Sequence, residues 1–323
     1  MKKLLITGWI PEDCVAPYRD SLEIVMPDSE KKYFTADEVA ALIVDCDALF
    51  TVASFPCRRE LIDLGPKLKA IANHGVGYDN IDHRYATQKG IFIVNTPNGV
   101  LEVTSEFAIA LIMTAARGIL QYDKSLRQTG YCQPSTFFDR DMLLLGKTLG
   151  ILGFGRIGRS VAKKAQGIGM QIIYYDPIRQ TPEKERELSV EYASFDELIA
   201  RADVVTCHML YTPENHHVIN MDVFRRMKKN AYFVNVARGP IMCESDLVQA
   251  LKTGEIRGAA TDVYEFEPKV TKELLELDNV VVTPHAASNV LEARKNMVIE
   301  VLSGIDSLFK GKRPPNIANP QLF

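Results

Sequence analysis

The sequence lacks several features that would mark a specialised class. Its six cysteines (Cys14, Cys46, Cys57, Cys132, Cys207, Cys243) are scattered and form no C-x-x-C pair. That argues against a disulfide framework and leaves reduced thiols as the expectation. Charge of one sign is also missing. A formal net charge of −3 gives no electrostatic reason for a nucleic-acid or membrane partner. No apolar run approaches the roughly 18 residues that span a bilayer. The opening "MKKLLITGWIPEDC" has two lysines and an apolar patch, but Pro11, Glu12 and Asp13 end the patch early and no cleavage signal follows. A cytoplasmic location is therefore expected. Internal repeats, low-complexity tracts and charge blocks are absent as well.

What is present is ordinary in bulk and informative in order. Apolar content of 46% and charged content of 24% are those of a globular protein, and 323 residues exceed one typical core, so two domains are expected. In the first hundred residues, "KKLLIT", "LEIVM", "DALFTV", "LKAIAN" and "IFIVN" resemble buried strands, with helical stretches such as Ala36–Asp45 and Arg58–Leu64 between them. That alternation predicts an α/β chain built from βαβ units around parallel sheets. The turn cluster "NTPNGV", Asn95 to Val100, is a hinge candidate. A helix is expected over 102–117, then an aperiodic loop "RQTGYCQPSTFFDRDM" whose Tyr131, Phe137 and Phe138 favour packing on a second subunit. A second alternating series runs from Gly146 to Thr283. The segment from Asn289 to Lys310 reads as a helix with the stripe Val298, Val301, Leu302, Ile305 and Leu308.

The second series opens with "GKTLGILGFGRIGRSVAKKA". A strand runs into Gly153-x-Gly155-x-x-Gly158 and a helix follows, so Arg156, Ile157 and Gly158 would turn backbone N–H groups and the helix dipole toward a pyrophosphate. The next strand, "MQIIYYD", ends in Asp176, near the roughly 20-residue spacing at which a carboxylate bonds the adenosine ribose. The same charge would repel a 2′-phosphate, so NAD is favoured over NADP. "HGVGYDN" is a decoy for this motif, with Asn80 where the third glycine is needed.

Ligands of a parallel sheet bind outside the carboxyl ends of its strands. After the later strands stand Arg238 in "NVARGP", Asp262 and Glu267 in "TDVYEFEP", and His285 in "TPHAAS". That set suits hydride transfer to a carbonyl. Histidine, with an unperturbed pKa of about 6.5, is a natural proton donor near neutral pH. A carboxylate such as Glu267 would hold the ring, and a guanidinium would polarise the carbonyl and pair with a substrate carboxylate. Asp262 is a candidate to face the nicotinamide carboxamide. His208, His216 and His217 show no metal-ligand spacing, and no metal is expected.

With "HGVGYDNID", "LGFGRIG", "NVARGPIMCESDLVQAL", "GAATDVYEFEP" and "TPHAAS" in this order, the chain resembles the D-isomer-specific 2-hydroxyacid dehydrogenases over nearly its whole length. Its segment "LEVTSEFAIALIMTAARG" and Ser288 after the histidine are most similar to the glyoxylate/hydroxypyruvate reductase group. The resemblance implies two doubly wound domains. A flavodoxin-like substrate domain would take residues 1–99 and 289–323, with a Rossmann domain over 100–288 inserted between them. It implies that Arg238 binds and polarises a small 2-oxo acid, that Glu267 pairs with His285, and that His285 is the acid/base. Val76, Gly77 and Ser288 would join Arg238 in holding the substrate, domain closure would exclude water, and the protein would be a homodimer. Departures from the family pattern are Met209-Leu210 in place of a Leu-Pro pair, Gly239-Pro240 after the arginine, and no tryptophan near Cys132.

Other branches fit less well. A phosphoglycerate-type enzyme would usually add a C-terminal regulatory domain, for which no chain is expected after the last helix. The formate dehydrogenase branch resembles this one with glutamine at the Glu267 position. A nicotinamide-sensing binding protein of the corepressor kind is the alternative function, against which stands the retention of Arg238, Glu267 and His285, since binding needs no acid/base pair.

Overall fold

Each half of the chain turns its short apolar runs into a parallel sheet. The computed structural model describes residues 1–132 and 141–323, so Phe137 and Phe138 lie outside the described residues. Contacts divide the chain into two units, Met1–Val100 with Asn289–Phe323, and Leu101–Ser288. Among the described residues, no single helix is long and apolar enough to cross a membrane.

The first unit holds β1 (Lys2–Ile6), β2 (Leu22–Val25), β3 (Ala48–Thr51), β4 (Ala70–Asn73) and β5 (Phe92–Val94), in the order β2-β1-β3-β4-β5. All its pairings are parallel. This is the flavodoxin-like order. Apolar clusters cover both faces, as buried parallel strands require. One face is covered by the helix Leu291–Phe309, whose Val298, Val301, Leu302 and Ile305 are buried. Its N-terminal bound lies two residues inside the stretch expected from the sequence.

The second unit holds β6 (Thr148–Leu152), β7 (Gln171–Tyr175), β8 (Glu191–Tyr192), β9 (Val204–Cys207), β10 (Tyr232–Asn235), β11 (Gly258–Thr261) and β12 (Val280–Val282). Their order is β12-β11-β10-β9-β6-β7-β8, which reverses direction of growth between β6 and β9, the dinucleotide-binding pattern. The register matters for function. Leu152 pairs with Cys207, Cys207 with Asn235, Asn235 with Thr261, and Thr261 with Val282. One row across the sheet therefore ends five strands level, and the loops that follow leave from a common edge.

Two elements depart from the sequence reading. The helix Ile119–Thr129 runs into the stretch expected to be aperiodic, bounded by left-handed Gly118 and Gly130, whose N–H bonds the Leu126 carbonyl at 2.8 Å. None of its residues is buried, although Ile119, Tyr122 and Leu126 stand at i, i+3 and i+7, a helical apolar spacing the sequence reading did not use. The edge strand β8 has two residues, too few for a strand pattern.

Candidate active site

The glycine loop leaves β6 at Gly153, whose φ of +89° favours glycine. A Cβ there would lie 2.7 Å from the backbone of His208. At Gly158 a Cβ would lie 2.2 Å from the Gly153 carbonyl, so the helix Arg156–Gly167 can press on the strand end only with glycine at that position. Gly155 is different: nothing lies within 4 Å of its ideal Cβ. That open space lets a diphosphate reach the backbone, and the helix start has no side-chain cap competing for its N–H groups. Asp176 accepts from Phe154 N at 2.8 Å and from Ile178 N at 2.9 Å, which ties the second strand end to the glycine loop. A carboxylate has further lone pairs for a ribose diol. These residues fit a dinucleotide.

His208 backs this loop rather than reacting. Burial pushes its pKa down to about 3, and its Nε2 meets Thr206 Oγ1 at 3.0 Å.

Arg238 follows β10 in a turn braced by Asn235, a buried residue that donates to the Arg238 carbonyl at 3.1 Å and accepts from Ala237 N at 3.0 Å. Arg238 Nη1 donates to the Ala237 carbonyl at 2.9 Å. At Gly239 a Cβ would sit 1.9 Å from Tyr264 backbone atoms, so the arginine turn and the Tyr264–Glu267 loop touch main chain to main chain.

His285 stands on the turn after β12. Its Nδ1 lies 3.0 Å from Glu267 Oε2 and 3.2 Å from Oε1, while Nε2 has no hydrogen-bond partner among the described residues. Glu267 Oε1 also accepts from Tyr264 N at 3.0 Å. Burial pulls the Glu267 carboxyl upward. The His285 hydrogen bond and charge, the Tyr264 N–H and the Arg238 charge outweigh it, and the net result is a lowered pKa.

Asp262 has protein partners that the sequence did not show. Its side chain is fully buried, accepting from Thr283 Oγ1 at 2.6 Å, Ala286 N at 2.8 Å and Ala287 N at 2.9 Å. Its carbonyl takes His285 N at 2.8 Å. It builds the turn under the histidine. His285 has φ of +53°, a conformation costing about 1–3 kcal/mol in a residue with a side chain. Hydrogen bonds to a charged group contribute about 1.5–3 kcal/mol each, so three of them offset that strain.

Sequence reasoning also missed a carboxylate clamp. Buried Glu244 accepts from Glu265 N (2.9 Å) and Thr271 N (2.9 Å), and Glu265 Oε2 accepts from Glu244 N (3.0 Å). The clamp locks the loop carrying Glu267 to the segment after Arg238. Acidic residues at loop ends look like solvated surface in a sequence, and only the mutual bonding distinguishes these two.

The structure thus brings Arg238, Asp262, Glu267 and His285 to one edge of the second unit, with Gly153, Gly155, Arg156, Ile157, Gly158 and Asp176 on the same edge. Ser288, half-exposed, closes that unit. Val76 and Gly77 belong to the first unit. There the Val76 carbonyl accepts from Asn95 Nδ2 at 2.8 Å and the Gly77 carbonyl from Asn73 Nδ2 at 2.5 Å. Among the described residues, their own N–H groups meet no acceptor.

Residues 109–287 match the family model for the NAD binding domain of D-isomer specific 2-hydroxyacid dehydrogenases. A Staphylococcus aureus (strain MRSA252) protein provisionally named a 2-hydroxyacid dehydrogenase is 39% identical, over 99% of this chain and 100% of its own. The chain belongs to the D-isomer specific 2-hydroxyacid dehydrogenase family. It is an oxidoreductase by that membership. A D-lactate dehydrogenase from Aquifex aeolicus, complexed with NAD and lactic acid, superposes with TM-score 0.81 at 28% identity, over 96% of each chain. An NADPH-dependent glyoxylate/hydroxypyruvate reductase from Sinorhizobium meliloti, in complex with NADP and malonate, gives TM-score 0.84 at 28% identity, over 100% of this chain and 98% of that one.

The lowered Glu267 pKa has a definite sign. A depressed carboxyl stabilises the fold fully above its unfolded value, near 4.5, and that contribution disappears as pH falls through the lower folded value. Glu267→Gln should therefore flatten the acid side of a stability-against-pH curve. Identical acid limbs for the two proteins in urea unfolding would contradict the pairing.

Proposed function

We propose that the protein reduces a small 2-oxo acid to the D-2-hydroxy acid, with NADH favoured over NADPH. The observation that carries this is the histidine with one nitrogen held and the other open: Nδ1 on Glu267, and Nε2 without a partner among the described residues. Bound NADH supplies the hydride. His285 Nε2 gives its proton to the carbonyl oxygen and regains one from solvent. Glu267 orients the ring and favours its charged form. The Arg238 guanidinium polarises the carbonyl and pairs with the substrate carboxylate, leaving less charge for His285 to neutralise. On the first unit, the unaccepted N–H groups of Val76 and Gly77 form an anion-receiving turn. Small acids of the glyoxylate or hydroxypyruvate kind are the substrates we favour, on the resemblance of the Leu101–Gly118 segment and Ser288.

NADH oxidation should be seen with glyoxylate, hydroxypyruvate or pyruvate and fall by about 10²–10⁴-fold in His285→Asn. Near-normal turnover in that variant would remove His285 from the role. Tight NADH binding without turnover of any 2-oxo acid would replace the enzyme by a nicotinamide-sensing binding protein.

Asp176 supports NAD by its charge and place. In Asp176→Ser the ratio of NADPH to NADH use should rise at least about tenfold, since a like charge beside a phosphate is costly. An unchanged ratio would sink the ribose assignment.

We also infer a homodimer. The helix Ile119–Thr129 leaves Ile119, Leu120, Tyr122 and Leu126 about half exposed, and Leu143 and Leu145 are still more so. Apolar surface of this extent is commonly covered by a partner. Light scattering should give the mass of two chains, and Leu120→Glu with Leu126→Glu should yield one. A single-chain mass for the unmodified protein would refute the dimer.

A further inference from the structure

The common edge of the sheet assembles another set of side chains, which no spacing in the sequence announces. His217 follows β9, Cys243 lies beyond the Arg238 turn after β10, and Glu265 follows β11. One ligand atom from each, an imidazole nitrogen, a thiol sulfur and a carboxylate oxygen, lies within 4.8 Å of the other two. All three residues are partly accessible to solvent. We propose that they form a binding site for a zinc-like divalent ion, with three protein ligands and a water in the fourth position.

The scaffold is built before any ion arrives. His217 N donates to the Pro240 carbonyl at 2.9 Å, Ile219 N to Ile241 at 3.1 Å, and Cys243 N to Ile219 at 2.9 Å, so two of the loops are laced backbone to backbone. His217 is held at a φ of +53°, and its ring stacks on His216 with centroids 3.8 Å apart. Its Nε2 lies 2.7 Å from Glu265 Oε1. Glu265 Oε2 accepts from Glu244 N at 3.0 Å, the kind of outer hydrogen bond that orients a ligating carboxylate.

The donor set selects the metal. Nitrogen, sulfur and oxygen together suit zinc or a similar borderline ion, while magnesium and calcium take oxygen. Binding converts the Cys243 thiol to a thiolate and releases its proton to solvent, and the proton between His217 Nε2 and Glu265 moves to Nδ1 or to solvent so that Nε2 can ligate. It also replaces the His217–Glu265 hydrogen bond by two coordinate bonds. Two ligands about 2.0 Å from a tetrahedral zinc stand about 3.3 Å apart, so the pair must open by roughly half an ångström. Glu265 is two residues from Glu267, in the same clamped loop. Zinc should therefore slow turnover, a consequence that rests on the function proposed above, whereas the binding itself does not.

Cobalt(II) is the probe, because a thiolate ligand gives it a charge-transfer band in the near ultraviolet. The titration is done on reduced Cys132→Ser protein, which removes the exposed thiol at Cys132. The band should appear, be displaced by zinc, be unaffected by magnesium, and vanish in Cys132→Ser/Cys243→Ser. No band, or a band undiminished by Cys243→Ser, overturns the site whether or not the protein is an enzyme. In activity assays Cys243→Ser should need more than about tenfold more zinc for the same inhibition. Equal zinc sensitivity with and without Cys243 would overturn the coupling to Glu267.

Discussion

The buried carboxylate of Asp262 is the contact on which the histidine side of the site depends. It follows β11 directly, accepts from two N–H groups and one hydroxyl of the turn after β12, and lends its carbonyl to His285 N. A turn so over-determined can hold a histidine in a left-handed conformation that it would otherwise leave. The imidazole is thereby presented with Nδ1 to Glu267 and Nε2 outward. Asp262 thus positions the His285 turn.

Close main-chain approach does the same work elsewhere on that edge. Gly158 lets a helix rest on the carbonyl of Gly153, and Gly239 lets the arginine turn rest on the loop of Tyr264. In both places a side chain would force two functional segments apart. The glycine at the first place belongs to a recognisable motif and the one at the second does not, although the steric demand at Gly239 is the greater. The Glu244–Glu265 clamp then fixes the far side of the Glu267 loop.

Much of this was legible in advance. The parallel sheets, the glycine loop with its strand and helix, Asp176, and the four residues just past the strand ends all follow from local pattern. β8 was too short to show a pattern, whereas the helix Ile119–Thr129 carries Ile119, Tyr122 and Leu126 at helical spacing and was passed over because it lies against the aperiodic stretch that follows. The roles of Asp262 and Glu244 stayed hidden because a carboxylate's partners are tertiary. A buried aspartate that builds a turn and an exposed one that meets a ligand look alike in a chain of letters.

By itself the sequence determined most of the segments that become strands and helices, and which reactive side chains stand at strand ends, because hydrophobic period and glycine conformation are local properties. Only the tertiary structure decided which of those ends lie level. The register that aligns Leu152, Cys207, Asn235, Thr261 and Val282 is set by interstrand hydrogen bonds between segments far apart in the chain. From that row come the His285–Glu267 pair and, beside it, the meeting of His217, Cys243 and Glu265. Neither grouping has a sequence spacing of its own, since the distance between two loops on one edge depends on the sheet and not on the length of chain that joins them.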